Sequence, residues 1–137
     1  MKPSILVAED NSMLRLMITA ALKPEGYLVY AAYDDLEVLD MIDQIPLDMV
    51  IYHTRRPGML GMATPIEIRK RLPMMQLILI TRQNINEFEQ SNFEMMGLGC
   101  LSMPFGLFQL RRIVKEHLQR RLPLDIHTRR PISLPVF

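Results

Sequence analysis

Three short apolar runs each stop at a polar residue, and this repetition limits the possible folds more than any other feature of the chain. Ile5 to Ala8 meets Glu9 and Asp10, Met49 to Tyr52 meets His53, and Leu77 to Ile80 meets Thr81 and Arg82. Runs of this length without polar alternation read as strands buried on both faces, as in parallel sheets. The segment Asp48 to Gly61 is the clearest case, because His53 is followed at once by a loop marked by Pro57, Gly58 and Gly61. If such strands lie parallel, their polar ends converge in the crevice where open α/β sheets place ligands.

Helical periodicity fills the intervals. Asn11 and Ser12 offer N-caps to a first helix with Leu14, Met17, Ile18 and Ala21 on one face, ended by Lys23-Pro24-Glu25-Gly26. Tyr27 to Ala32 is a second strand, and Asp34-Asp35 opens a second helix whose buried face is expected to carry Leu36, Leu39 and Ile42. Thr64-Pro65-Ile66-Glu67 combines an N-cap, a first-position proline and a capping-box glutamate for a third helix up to Pro73. A fourth strand within Met75 to Thr81 leads to a cap at Asn84 with Glu87 three residues on, and to a helix reaching about Met96. Cys100 to Ser102 is a fifth strand. Met103-Pro104-Phe105 then enters a helix over Leu107 to Leu122, with Leu107, Leu110, Ile113, Val114 and Leu118 inward and Arg111, Arg112 and Lys115 outward.

Five strand–helix alternations predict an α/β protein: a doubly wound, five-stranded parallel sheet in three α/β/α layers. Residues 1–122 form one domain and 123–137 an extension; with three prolines, Pro123, Pro131 and Pro135, the extension is no regular helix. Ile132, Leu134 and Val136 alternate, as in an edge strand or docking segment, but the extension reads as a disordered end.

Composition narrows the partners. No apolar stretch approaches the roughly 18 residues of a membrane span and no signal peptide pattern opens the chain, which predicts a cytoplasmic protein with no membrane partner. The single Cys100 forms no internal disulfide and excludes a cysteine-based zinc site. Residues 1–50 carry 3 basic against 9 acidic side chains and residues 51–137 carry 13 against 6, which we read as two differently solvated faces, with nucleic acid unlikely as a partner.

The acidic pair Glu9-Asp10, Pro57-Gly58-Met59 with Gly61, Thr81, and Pro104-Phe105 fall after successive strands, and this order resembles a response-regulator receiver domain over about residues 3–120. The resemblance implies a flavodoxin-like (βα)5 fold with strand order 2-1-3-4-5. It also implies phosphoryl transfer from a histidine kinase to an aspartate after the third strand, with Mg²⁺ on the acidic pair. A hydroxyl and a lysine contact the phosphoryl oxygens. On this chain Glu9 and Asp10 match the acidic, metal-binding pair and Thr81 matches the hydroxyl. The phosphoacceptor position is His53, the lysine position is Met103, and the switch aromatic is Cys100.

An imidazole does not form an acyl phosphate, and its presence removes a hard oxygen ligand from the Mg²⁺ site. Met103 brings no ammonium to balance a dianion. The expectation is therefore an atypical receiver, not an enzyme, that acts through protein–protein contact with no required cofactor and at most weak Mg²⁺ at Glu9 and Asp10. Like carboxylates at close range need a cation, so a protonated His53, hydrogen-bonded to Asp10 or Glu9, is expected to satisfy the pocket, and Arg55, Arg56 or Arg82 are further candidates. The partner is a signalling protein related to histidine kinases, or a second copy meeting the face of the fourth helix, fifth strand and fifth helix, with Arg111, Arg112 and Lys115 on it. Met59 and Met62 are candidates for partner contact. Lesser readings are a transition metal on Glu9, Asp10 and His53, a flavodoxin-like small-ligand or metal protein, and nucleic-acid binding through the basic fifth helix and tail.

Overall fold

The computed structural model describes residues 2–54, 61–82 and 85–119. The parallel strands are β1 Ser4–Ala8, β2 Leu28–Ala32, β3 Met49–His53, β4 Gln76–Thr81 and β5 Gly99–Ser102. The helices are α1 Ser12–Leu22, α2 Asp35–Gln44, α3 Ala63–Arg71, α4 Glu87–Met95 and α5 Leu107–Gln119, and a short 3-10 turn, Lys23–Glu25, follows α1. The sheet order is β2-β1-β3-β4-β5.

Each central strand is apolar on both faces, and each face serves a different core. Leu6, Val50, Tyr52, Leu77 and Leu79 pack with Val38 and Ile42 of α2, Ile68 of α3 and Phe93 of α4. Their neighbours Ile5, Val7, Met49, Ile51 and Ile78 pack on the other side with Ile18 and Leu22 of α1 and Leu110 and Val114 of α5. The period-2 geometry of strands makes this division, and the sheet thus separates two dry layers. Strand order reverses between β1 and β3, which places a crevice at their C-terminal ends. In register, Ala8 pairs with Tyr52, so Glu9 and His53 are the next residues out on adjacent strands.

Several local expectations are corrected. α3 starts at Ala63 after Met62, which caps with no side chain; Thr64 is buried inside the first turn and Pro65 sits in that turn, where its missing N–H has no intrahelical partner to lose. α4 is capped by Asn86, whose side chain accepts from Glu89 N at 2.8 Å, whereas Asn84 lies outside the described residues. Leu36 is 78% exposed, and Val38 with Ile42 carries the buried face of α2. Met17 and Leu107 are exposed as well, and His117 takes an inward position on α5. β2 begins at Leu28, because Gly26 turns the chain with φ 92° and Leu28 N then bonds Pro3 O. The expected end of the fifth helix at Leu122 and the extension 123–137 lie outside the described residues.

Candidate functional site

The centre of the site is a buried carboxylate meeting an imidazole. Glu9 leaves the end of β1 with its N–H on the Ala32 carbonyl at 3.0 Å, and its side chain is fully inaccessible. His53 Nδ1–H donates to Glu9 Oε2 at 2.5 Å, and Asn11 N donates to Oε1 at 3.0 Å. A buried carboxylate without such donors would carry a heavy desolvation cost. Asn11 serves twice, since its Oδ1 also accepts from Leu14 N and caps α1.

Around this pair the loops are pinned by groups that sequence reasoning did not connect. Arg15 Nη1 donates to the Glu9 carbonyl at 2.7 Å, and its guanidinium lies 4.8 Å from the centre of the Tyr33 ring. Tyr52 OH donates to Asp35 Oδ1 at 2.9 Å and ties β3 to the first turn of α2, while Asp34 caps that helix. No sequence spacing links these partners; the acidic Asp34-Asp35 pair beside two tyrosines was the available signal. Tyr33, Asp34, Asp35 and Tyr52 border an open cleft of about 640 Å³ together with Glu9, Asp10 and His53.

The other end of the same rim is neutral. Thr81, at the end of β4, is 1% exposed, and its Oγ1 lies 3.4 Å from Ser102 Oγ of β5. Met103 N donates to the Thr81 carbonyl at 2.9 Å, and the Met103 side chain packs against the core shared with α5. Cys100 is half-buried one strand layer below; burial, and then the charge of Glu94, pushes its thiol up to about 11.

The remaining candidates divide by position. Arg82 turns to Glu89 of α4 at 2.9 Å instead of entering the cleft. Arg55, Arg56 and Met59 lie outside the described residues. Met62 is 4% exposed and belongs to the core, which removes it as a surface contact. Arg111 is held from the α1 side, by the Ala21 carbonyl at 3.2 Å and Glu25 at 3.4 Å, and therefore points away from the face shared with α4. Arg112 pairs with Glu116 on its own helix at 3.0 Å, and Lys115 is exposed.

Mg²⁺ demands an octahedron of oxygens. Here Glu9 gives both oxygens to protein donors, and the facing residue on β3 offers nitrogen, so Glu9, Asp10 and His53 do not fit that ion in this arrangement. Among the described residues no three His, Cys, Asp or Glu side chains cluster as metal ligands, and no helix is long and apolar enough to cross a membrane.

A five-stranded parallel sheet in the order 2-1-3-4-5, with its cleft at the strand-order reversal, defines a flavodoxin-like signalling or ligand fold. Within that class, the response regulator receiver domain family model matches residues 5–115, and the chain belongs to this family. The sporulation initiation phosphotransferase F of Bacillus subtilis (strain 168) is 28% identical over 122 residues, which cover 86% of this chain and 95% of that protein. A response regulator from Thermotoga maritima superposes with a TM-score of 0.79 at 19% identity, covering 88% of this chain and all of that one. A CheY-like receiver domain protein from Methanospirillum hungatei superposes with a TM-score of 0.76 at 22% identity, covering 86% of this chain and 94% of that one. The likeness to these two structures concerns the fold.

Proposed function

We propose that this chain is an atypical receiver domain of two-component signalling that acts by binding a signalling partner and does not run a phosphorylation cycle. The observation that carries the reading is the His53–Glu9 hydrogen bond of 2.5 Å. Receiver chemistry needs a carboxylate to accept the phosphoryl group, a metal to neutralise it and a cation beside it. In this chain an imidazole stands at the end of β3 and already engages the first acid. Met103, after β5, turns a thioether into the core. A phosphoryl dianion arriving here would meet Glu9, Asp10, Asp34 and Asp35 around the cleft, with no ammonium among the described residues that line it.

The Bacillus relative is named a phosphotransferase, and the present chain differs from such an activity through these side chains and not through its fold. Its partners are histidine-kinase-related proteins or other signalling proteins that recognise the receiver surface. The test offers a small-molecule phosphodonor with Mg²⁺ and reads intact mass, with an aspartate-bearing receiver as positive control. The expected result is an unchanged mass for this chain. Covalent phosphate retained on it overturns the proposal.

A further inference from the structure

The β2 edge of the sheet carries backbone groups with nothing to bond. β2 pairs with β1 alone, in one unbroken register from Leu28 opposite Ser4 to Ala32 opposite Ala8. Leu28 N donates to Pro3 O, and Ala32 O accepts from Glu9 N. Successive strand residues point their backbone groups to opposite sides, so 28, 30 and 32 bond β1 while Val29 and Ala31 aim N–H and C=O out of the sheet. Among the described residues nothing pairs with these outward groups.

Edge strands are ordinarily blunted by a lysine, a proline, a bulge or a covering element. β2 reads Leu-Val-Tyr-Ala-Ala, with no charge, no proline and no bulge, and Leu28 is 45% exposed. Such an edge is a template for an added strand, because its unpaired N–H and C=O groups fit only another extended backbone.

The charge beside the edge decides which strand fits. α2 packs on β1 and β2, carries Asp35, Glu37, Asp40 and Asp43 with no lysine or arginine, and is preceded by Asp34. Asp35 reaches Tyr52 of β3, and Asp43 reaches Arg71 of α3. At about 100° per residue, the opposite side of the helix holds Glu37, Met41 and Gln44 and overlooks the β2 edge. Met41 and Tyr30 accordingly pack on the same core. A second copy is the poorer occupant. Antiparallel pairing of β2 with its twin turns about an axis perpendicular to the sheet, so α2 would lie beside α2 and acid would face acid. A strand with lysine or arginine on that face meets the opposite charge.

We propose that the β2 edge docks an extended, basic segment of a signalling partner, which joins the sheet as one more strand. Its backbone pairs with Val29 and Ala31, its lysine or arginine side chains face Glu37, and its apolar side chains lie on the α1 side beside Val29. This gives the chemistry of the signalling partner and rests on the chain acting by binding.

The probe is a synthetic peptide alternating lysine with valine, and the control alternates glutamate with valine. Amide hydrogen exchange of the full chain is followed by NMR. A peptide present at about ten times its dissociation constant slows exchange of the amides it covers about tenfold. That slowing is expected at Val29 and Ala31 with the lysine peptide and not at Cys100 on the β5 edge. No slowing, equal slowing with the glutamate peptide, or equal slowing at Cys100 overturns the proposal. Slowing without peptide that grows with protein concentration overturns it as well, because that reports a second copy. Ala31→Pro removes one outward N–H at an edge position, where proline is tolerated. It is expected to abolish the effect at Val29, and slowing that survives the substitution counts against the proposal. Absence of peptide binding leaves the phosphodonor result standing, and covalent phosphate leaves the peptide result standing, so the two readings fail separately.

Discussion

The rim of the sheet has two halves built from opposite chemistry. Where β1 and β3 end, a fully buried carboxylate is matched within 3.0 Å by an imidazole and a backbone amide, and further acids border the cleft. Where β4 and β5 end, the facing groups are two hydroxyls 3.4 Å apart and a thioether packed into the core. The first half has its charge settled internally, and the second contributes none. Catalysis of phosphoryl transfer depends on charge placed on both sides of the transferred group. The contrast therefore bears on function through electrostatics.

The largest test of this contrast is His53→Ala. It would leave Glu9 fully buried with the Asn11 amide and without its imidazole partner. Leaving a buried acceptor short of a hydrogen-bond donor costs about 1 to 3 kcal/mol, so denaturant unfolding is expected to show a loss of that size. A loss below about 1 kcal/mol would place the pair among exposed ones and dissolve the distinction between the halves. Next in size is the thiol of Cys100, which burial and Glu94 push up to about 11. The sign follows directly: below that value the thiol stays protonated, so at pH 8 its thiolate is about 100-fold scarcer than that of an ordinary cysteine. Iodoacetamide alkylation of the folded chain is expected to be slower by about that factor and to rise until about pH 11. A rate near that of free cysteine at pH 8 would show that the β5 end is wetter than its packing indicates.

Gly99→Ala probes the same end through packing. A Cβ on Gly99 would stand 2.6 Å from His117 Nε2 and 2.8 Å from Cε1. The ring has little room to yield, being 5% exposed and fixed by its Nδ1 on the Ile113 carbonyl at 3.0 Å. Overpacking of this kind costs about 1 to 3 kcal/mol. Thermal unfolding is the readout, and an unchanged melting temperature would mean that α5 shifts freely against β5.

These residues also show which parts of the molecule were legible in its sequence. Strand ends were, because an apolar run meeting Glu9, His53 or Thr81 marks both the strand and its polar tip. The cap of α4 was misassigned to Asn84, since Asn84 with Glu87 and Asn86 with Glu89 satisfy the same local pattern. Tertiary placement selects Asn86. Leu36 was misplaced because periodicity fixes the angle between side chains and leaves the helix's rotation about its axis open; the packing of Val38 and Ile42 decides it. Of the site, the residues at the strand tips were readable one by one. Pairings such as Tyr52 with Asp35, Arg15 with Tyr33 and His117 beneath Gly99 join distant segments and follow only from register and helix docking.

The smallest expected effect is Thr81→Val, and it distinguishes a structural hydroxyl from a functional one. Valine keeps the β-branched shape that a buried strand end requires and removes only the group facing Ser102. Ser102 is exposed and turns to water when its neighbour is lost, so the net change in stability is expected to stay below about 1 kcal/mol. Chemical denaturation of the single variant, compared with the variant that also carries Ser102→Ala, isolates the contact. A coupling near zero leaves the neutral half of the rim held by its packing. A coupling well above 1 kcal/mol would mean that the hydroxyl pair organises this end as the Glu9–His53 hydrogen bond organises the other, and the two halves would then differ in charge but not in kind.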